Sequence, residues 1–166
     1  RMWMTGIARR VDHLGELAGR PLTAADVEPY NWTAAERGRS MPATEWVAAE
    51  EQQQAWVVAV DRWLAPYDLL VTPTSAALPM ATAELAPPAE KPWRAAHHYA
   101  RIGAFTIAFN VTGHPAISLP LGQSEGGLPV GVQLVAGMGR EDLLLQLAAG
   151  LEQSMPWADR RPTVHA

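Results

Sequence analysis

The sequence predicts an α/β fold, a partial sheet of short strands flanked by helices. Three observations carry this. Amphipathic stretches run from Met41 or Glu45 to Leu64 and from Asp142 to Ser154, with apolar residues recurring at helical spacing. Asp68–Pro73 is a short continuous apolar run closed by a proline, the pattern of a strand buried on both faces. Ala116–Pro120 and Val130–Ala136 are extended runs on either side of the reversal Ser124–Gly127, as in a hairpin.

In chain order, Arg1–Arg20 reads as a helix built on Ile7, Val11, Leu14 and Leu17, stopped by Gly19 and Pro21. Thr23–Asp26 reads as the cap of a short helix that ends before Pro29, and Thr33–Glu36 as a capping box. In the next helix, Trp46, Ala49, Gln53, Trp56, Val60 and Trp63 form one stripe, expected to pack on the core. Pro66 ends it. Asp68–Pro73 behaves as an interior strand, so neighbours are expected on both its edges. Residues 74–92 are proline-rich and read as a surface loop. Trp93–Phe109 returns to helical composition, and Asn110–Pro115 is a turn. In Val130–Ala136, Val130, Val132, Leu134 and Ala136 share one face, with Gly131, Gln133 and Val135 on the other. Gly137-Met138-Gly139 breaks the strand. The last helix rests on Leu143, Leu144, Leu147, Ala148 and Leu151, and the tail after Pro156 is expected to be peripheral. No repeat or linker divides the chain, so residues 1–166 are expected to be a single domain.

The 166 residues are 48% apolar and 18% charged, enough to bury a core and too apolar for disorder. The net charge of -4 offers no basic stripe, which argues against nucleic acid as a partner. Cysteine is absent, which removes disulfides, thiolate nucleophiles and the common structural zinc sites, and fits a reducing, cytoplasmic setting. No apolar run approaches the roughly 20 residues that cross a bilayer, so no membrane is expected. Arg9 and Arg10 interrupt any leader-like run at the start.

Candidate chemistry is thin. His97 and His98 are adjacent on a helix, pointing about 100° apart, and lack the i, i+4 spacing of a metal pair. Gly137-Met138-Gly139 is half a dinucleotide loop, but Asp142 stands where a third glycine belongs and Glu141 would repel a phosphate. Asp68, His97 or His114 and a serine have no nucleophile elbow to organise them. Glu50-Glu51 lies on a polar helix side, and Glu141-Asp142 lies in a first turn where the helix dipole favours acids. The chain has one lysine, Lys91, and five serines of which no two are adjacent. No self-sufficient active site, cofactor or metal site is read here.

Two stretches carry a resemblance. Tyr67-Asp68-Leu69-Leu70-Val71-Thr72-Pro73-Thr74 resembles the "D-x-L-x-x-P-T" strand and loop of the amidase signature family. Phe109-Asn110-Val111-Thr112-Gly113-His114-Pro115-Ala116-Ile117-Ser118-Leu119-Pro120 is similar to its "F-N-x-T-G-x-P-A-x-S-x-P" segment. Gly127–Leu134 matches "G-L-P-x-G-x-Q-L", and Leu143–Glu152 fits "L-L-x-x-A-x-x-x-E". Asp26–Trp32 and Glu36–Arg39 resemble the branch that includes 6-aminohexanoate cyclic-dimer hydrolases.

The resemblance covers Arg1 to about Trp157 but only the C-terminal third or so of the family pattern. It implies a three-layer α/β/α fold with a mixed sheet, in a hydrolase that cleaves carbon–nitrogen bonds of carboxamides. Family members use a Ser–cis-Ser–Lys triad from a "G-G-S-S-G-G" segment and a lysine further upstream. Neither is present, and Lys91 beside Glu90 lacks the desolvation that makes a lysine basic. No catalytic residue is therefore assigned. The resemblance implies that this chain supplies scaffold and pocket wall, with Thr72, Pro73, Thr74 and Asn110 facing a small amide substrate and the missing N-terminal part as partner. Two alternatives remain: a non-catalytic remnant or interaction module that docks through its sheet edge, and a fragment of a tRNA-dependent amidotransferase A subunit. Unpaired strand edges also predict a homo-oligomer.

Overall fold

The computed structural model describes residues 2–82 and 90–161. The centre of the proline-rich loop, residues 83–89, and the end of the tail, residues 162–166, lie outside the described residues. In order the elements are α1 (Met2–Ala18), α2 (Pro29–Arg39), α3 (Ala43–Leu64), β1 (Leu69–Pro73), α4 (Arg94–Ile102), α5 (Ile107–Thr112), β2 (Ala116–Gln123), β3 (Pro129–Ala136) and α6 (Glu141–Ser154). This is the expected α/β class. The chain forms two compact units, one from residues 1–55 and 81–99, the other from residues 56–80 and 100–166.

In the first unit α1 packs on α2 through small residues. Ala8 and Val11 meet Ala35, and Ile7, Leu22 and Trp32 close around them. The inner face of α1 therefore passes through Ala8, Val11 and Gly15, whereas the expected core residues Leu14 and Leu17 stand 50% and 73% exposed. Both capping expectations are corrected. The Asp26 carboxylate accepts from the N–H and the hydroxyl of Thr23, each at 2.8 Å, and from Arg20 at 2.6 Å, which closes a turn instead of opening a helix. The helix begins at Pro29, whose fixed φ suits a first turn and whose missing N–H costs nothing there. Thr33 is thus interior, and its hydroxyl donates back to the Pro29 carbonyl at 2.8 Å.

The second unit is built on a three-stranded antiparallel sheet in the order β1-β3-β2. Leu69 pairs with Ala136 and Thr72 with Gln133, while Ala116 pairs with Val135 and Ser118 with Gln133. Among the described residues β3 is therefore the interior strand. Among the described residues β1 is paired on one side only, by β3, and Val71 is 59% exposed. The expected alternation of β3 holds. Leu134 and Ala136 pack with Leu119 and with Leu144 of α6, while Val135 on the other face packs with Leu64 of α3 and Phe109 of α5. Helices thus cover both faces.

Further expectations change. On α3 the inward stripe is Trp46, Ala49, Gln53, Val57, Val60 and Leu64, so Trp56 and Trp63, one position earlier, stand about 100° off it and are exposed. The Trp93–Phe109 stretch is two helices, with a break at residues 103–106. Asn110 and Thr112 belong to the last turn of α5 instead of a loop. Gly113 follows with φ of 77°, a left-handed cap that side chains with a Cβ rarely adopt. Nor is the tail wholly peripheral: Trp157 packs against the Leu134 cluster, and Arg160 donates to the Pro120 carbonyl at 3.1 Å. No described helix is long and apolar enough to cross a membrane.

Candidate functional site

One face of β3 grades from core to solvent. Val135 is fully buried, Gln133 is buried, and Gly131 is half-buried at the open end. The register carries Thr72 and Ser118 to either side of Gln133, so a polar row crosses β1, β3 and β2. The Gln133 amide nitrogen donates to the Thr72 hydroxyl and to the Phe105 carbonyl, both at 3.0 Å. That satisfies a buried amide and ties the α4–α5 connection to the sheet.

Two residues further along, the Thr74 N–H donates to the Gly131 carbonyl at 2.9 Å and extends the ladder past the end of β1. Its hydroxyl meets that of Ser118 at 2.6 Å, passing over Gly131. A Cβ on Gly131 would lie 2.7 Å from Thr74 Oγ1 and 3.0 Å from Ser118 Oγ, so only glycine leaves room for the two to meet.

A cleft of about 550 Å³ opens above this point. Such a volume falls within the range of small-molecule sites. Pro73, Thr74, Ser118 and Gly131 lie along it, Ile102 and Val130 flank it, and the segment from Ala76 to Met80 gives an apolar wall. Ser75 fixes that segment by donating to the Ala77 carbonyl at 2.8 Å and accepting from its N–H. Among the described residues the lining carries no titratable side chain. It is able to hold a neutral ligand with an apolar body, and it has no group that moves a proton near neutral pH.

Of the residues read from the sequence, Pro73 and Thr74 lie in the cleft lining. Thr72 is engaged by Gln133 on the sheet face, and Asn110 is exposed at the end of α5, outside that lining. Ser118, Gly131 and Ile102 were not read as site residues. A serine and a glycine on neighbouring strands give no sign of a shared point until register is known.

The described titratable groups lie elsewhere. Lys91 is exposed and outside the lining. His114 is buried, with Nδ1 2.9 Å from Thr112 Oγ1 and Nε2 3.5 Å from Asp61 Oδ1, and no serine is among these neighbours. Among the described residues no cluster of three or more His, Cys, Asp or Glu is placed to hold a metal. The shifted acids belong to exposed pairs. Asp26 is held well below the carboxylate range by Arg20 and then Thr23, Glu16 is lowered by His13 and then Arg9, and Asp142 is lowered by Arg140.

The amidase family model matches residues 15–145. The chain belongs to the amidase family. This amidase-family chain is 43% identical over 162 residues to the 6-aminohexanoate-cyclic-dimer hydrolase of Pseudomonas sp. (strain NK87), covering 94% of this chain and 33% of the relative. The enzyme of the same name from Paenarthrobacter ureafaciens shows the same identity and coverage. A solved structure of 6-aminohexanoate cyclic dimer hydrolase superposes with a TM-score of 0.90 at 40% identity, covering 96% of this chain and 34% of that one. A bacterial aryl acylamidase of the amidase signature family, 18% identical with a TM-score of 0.74, shares the fold. The amidase-family chain spans about a third of the length of these curated relatives.

Proposed function

We propose that this chain is the C-terminal scaffold and part of the substrate-pocket wall of a hydrolase that cleaves carbon–nitrogen bonds of carboxamides. Its two units belong to one amidase domain, completed by an N-terminal part that carries the Ser–cis-Ser–Lys triad. The observation that carries this reading is the cleft beside Thr74, Ser118 and Gly131. Its described lining suits a small neutral ligand and carries no acid, base or paired nucleophile. Family membership and the partial coverage of the relatives support it. Pro73 and Thr74 face the substrate directly, Thr72 holds the strand behind them, and Asn110 approaches from the α5 side. A cyclic or linear aliphatic amide is the substrate class, by likeness to the 6-aminohexanoate-cyclic-dimer hydrolases. The enzyme works in the cytoplasm, and the outer edge of β1 invites self-association when the N-terminal part is missing.

The test compares two proteins. The 166-residue chain, incubated with 6-aminohexanoate cyclic dimer and with hexanamide, is expected to release no amine or ammonia. The longer protein, carrying an upstream "G-G-S-S-G-G" segment, is expected to hydrolyse at least one of them. Turnover by the short chain that disappears in Ser75→Ala or Ser118→Ala would refute the proposal. Sedimentation of the short chain is expected to show dimers or larger species.

A further inference from the structure

The Thr74–Ser118 contact leaves a chemical remainder. At 2.6 Å one hydroxyl donates to the other, which consumes one of two hydrogens. The accepting hydroxyl keeps its own. Ser75, the remaining hydroxyl of the lining, spends its hydrogen on the Ala77 carbonyl. The pair thus offers the cleft a side-chain donor on a wall that is otherwise apolar. Gly131 adds an independent observation: the strand is cleared of a side chain where the two hydroxyls meet, which keeps the pair together and the space open.

We propose that the Thr74–Ser118 pair is a specificity-determining anchor that selects ligands with a neutral carbonyl acceptor on an aliphatic body. This rests on the cleft being the substrate-facing side, as argued above. Among the described residues the lining has no cation, so a carboxylate there exchanges water for no counter-charge and gains less than a neutral carbonyl. An ammonium has no acceptor to give the free hydrogen. A neutral amide carbonyl satisfies the donor and brings no charge.

The experiment is a magnetic-resonance titration of the 166-residue chain with hexanamide, hexanoate and hexylamine as probes. Hexanamide is expected to shift the backbone resonances of Thr74, Ser118 and Gly131, and to bind at least fivefold more tightly than the other two. Its Kd is expected to rise about fivefold in the Thr74→Val/Ser118→Ala double variant, which removes both hydroxyls, and to stay within twofold in Ser118→Thr, which keeps both. If the double variant fails to fold, the preference of the parent chain for hexanamide over hexanoate decides the matter. Unchanged hexanamide affinity in the double variant, or hexanoate binding as tightly as hexanamide, overturns the anchor and leaves the cleft standing. No probe shifting these resonances overturns the substrate-facing cleft itself, and the anchor with it.

Discussion

The side-chain amide of Gln133 donates to the hydroxyl of Thr72 at 3.0 Å, joining residues 61 apart in the chain. The same nitrogen reaches the Phe105 carbonyl, so one buried group holds β1, β3 and the α4–α5 connection. Replacing it by leucine keeps most of the volume but removes the donor. Gln133→Leu is expected to cost about 1–3 kcal/mol, because the groups it served lose their partner. Gln133→Ala adds a cavity and is expected to cost more. Urea denaturation followed by tryptophan fluorescence gives both values; a leucine variant as stable as the parent would show that the amide only fills space.

Gly131→Ala tests the close approach. The new methyl would press on the hydroxyls of Thr74 and Ser118, and the strand must shift to relieve it. The expected cost is about 1–3 kcal/mol. In a Thr74→Ala background the nearest obstacle is gone, so the same change is expected to cost less, with a coupling of at least about 0.5 kcal/mol. Additive penalties in the double-variant cycle would place the strain elsewhere.

Where local pattern decides structure, the sequence was legible. β3 alternates as its residues require, because Leu134 and Val135 must point to opposite faces and both faces are covered. The motif residues Pro73 and Thr74 lie in the cleft lining. Pairing partners were not legible. Leu69–Val71 carries the hydrophobicity of an interior strand, yet its neighbours within the described residues do not reveal that position. Ser118 and Gly131 become a site only through antiparallel register, a relation between distant segments that no local spacing encodes. Thr23–Asp26 failed for a different reason. The same side chains that cap a helix also close a turn, and Arg20 drew the Asp26 carboxylate to the turn.

That carboxylate gives the first unit a pH dependence of known sign. Arg20 chiefly, then the Thr23 N–H and hydroxyl, hold Asp26 below its ordinary value of 3.8. Its contribution to stability is complete above that value and is lost as pH falls through the depressed one. Asp26→Asn is expected to be less stable than the parent at pH 7, with the difference shrinking steadily below about pH 4. Both groups are solvent-accessible, so added salt should reduce the difference as well. Thermal melts from pH 7 to pH 2 measure it; a gap that widens on acidification would reverse the sign.

The tail supplies the last test, because composition and packing disagree there. Residues after Pro156 are polar and proline-containing, yet Trp157 packs against the cluster of Leu119, Leu134, Ala136 and Leu144, and Arg160 reaches the Pro120 carbonyl beside the irregular register of β2. A half-buried indole removes apolar area from water, so Trp157→Ala is expected to cost about 2 kcal/mol. Arg160→Ala loses one exposed hydrogen bond to a carbonyl and should cost about 0.5–1 kcal/mol. Truncation after Pro156 removes both and should cost at least as much as Trp157→Ala. Urea midpoints for the three variants set the order. Equal stability throughout would mean that the tail merely rests on the sheet, while the expected ranking makes Trp157 the cover over the α6 side of β3.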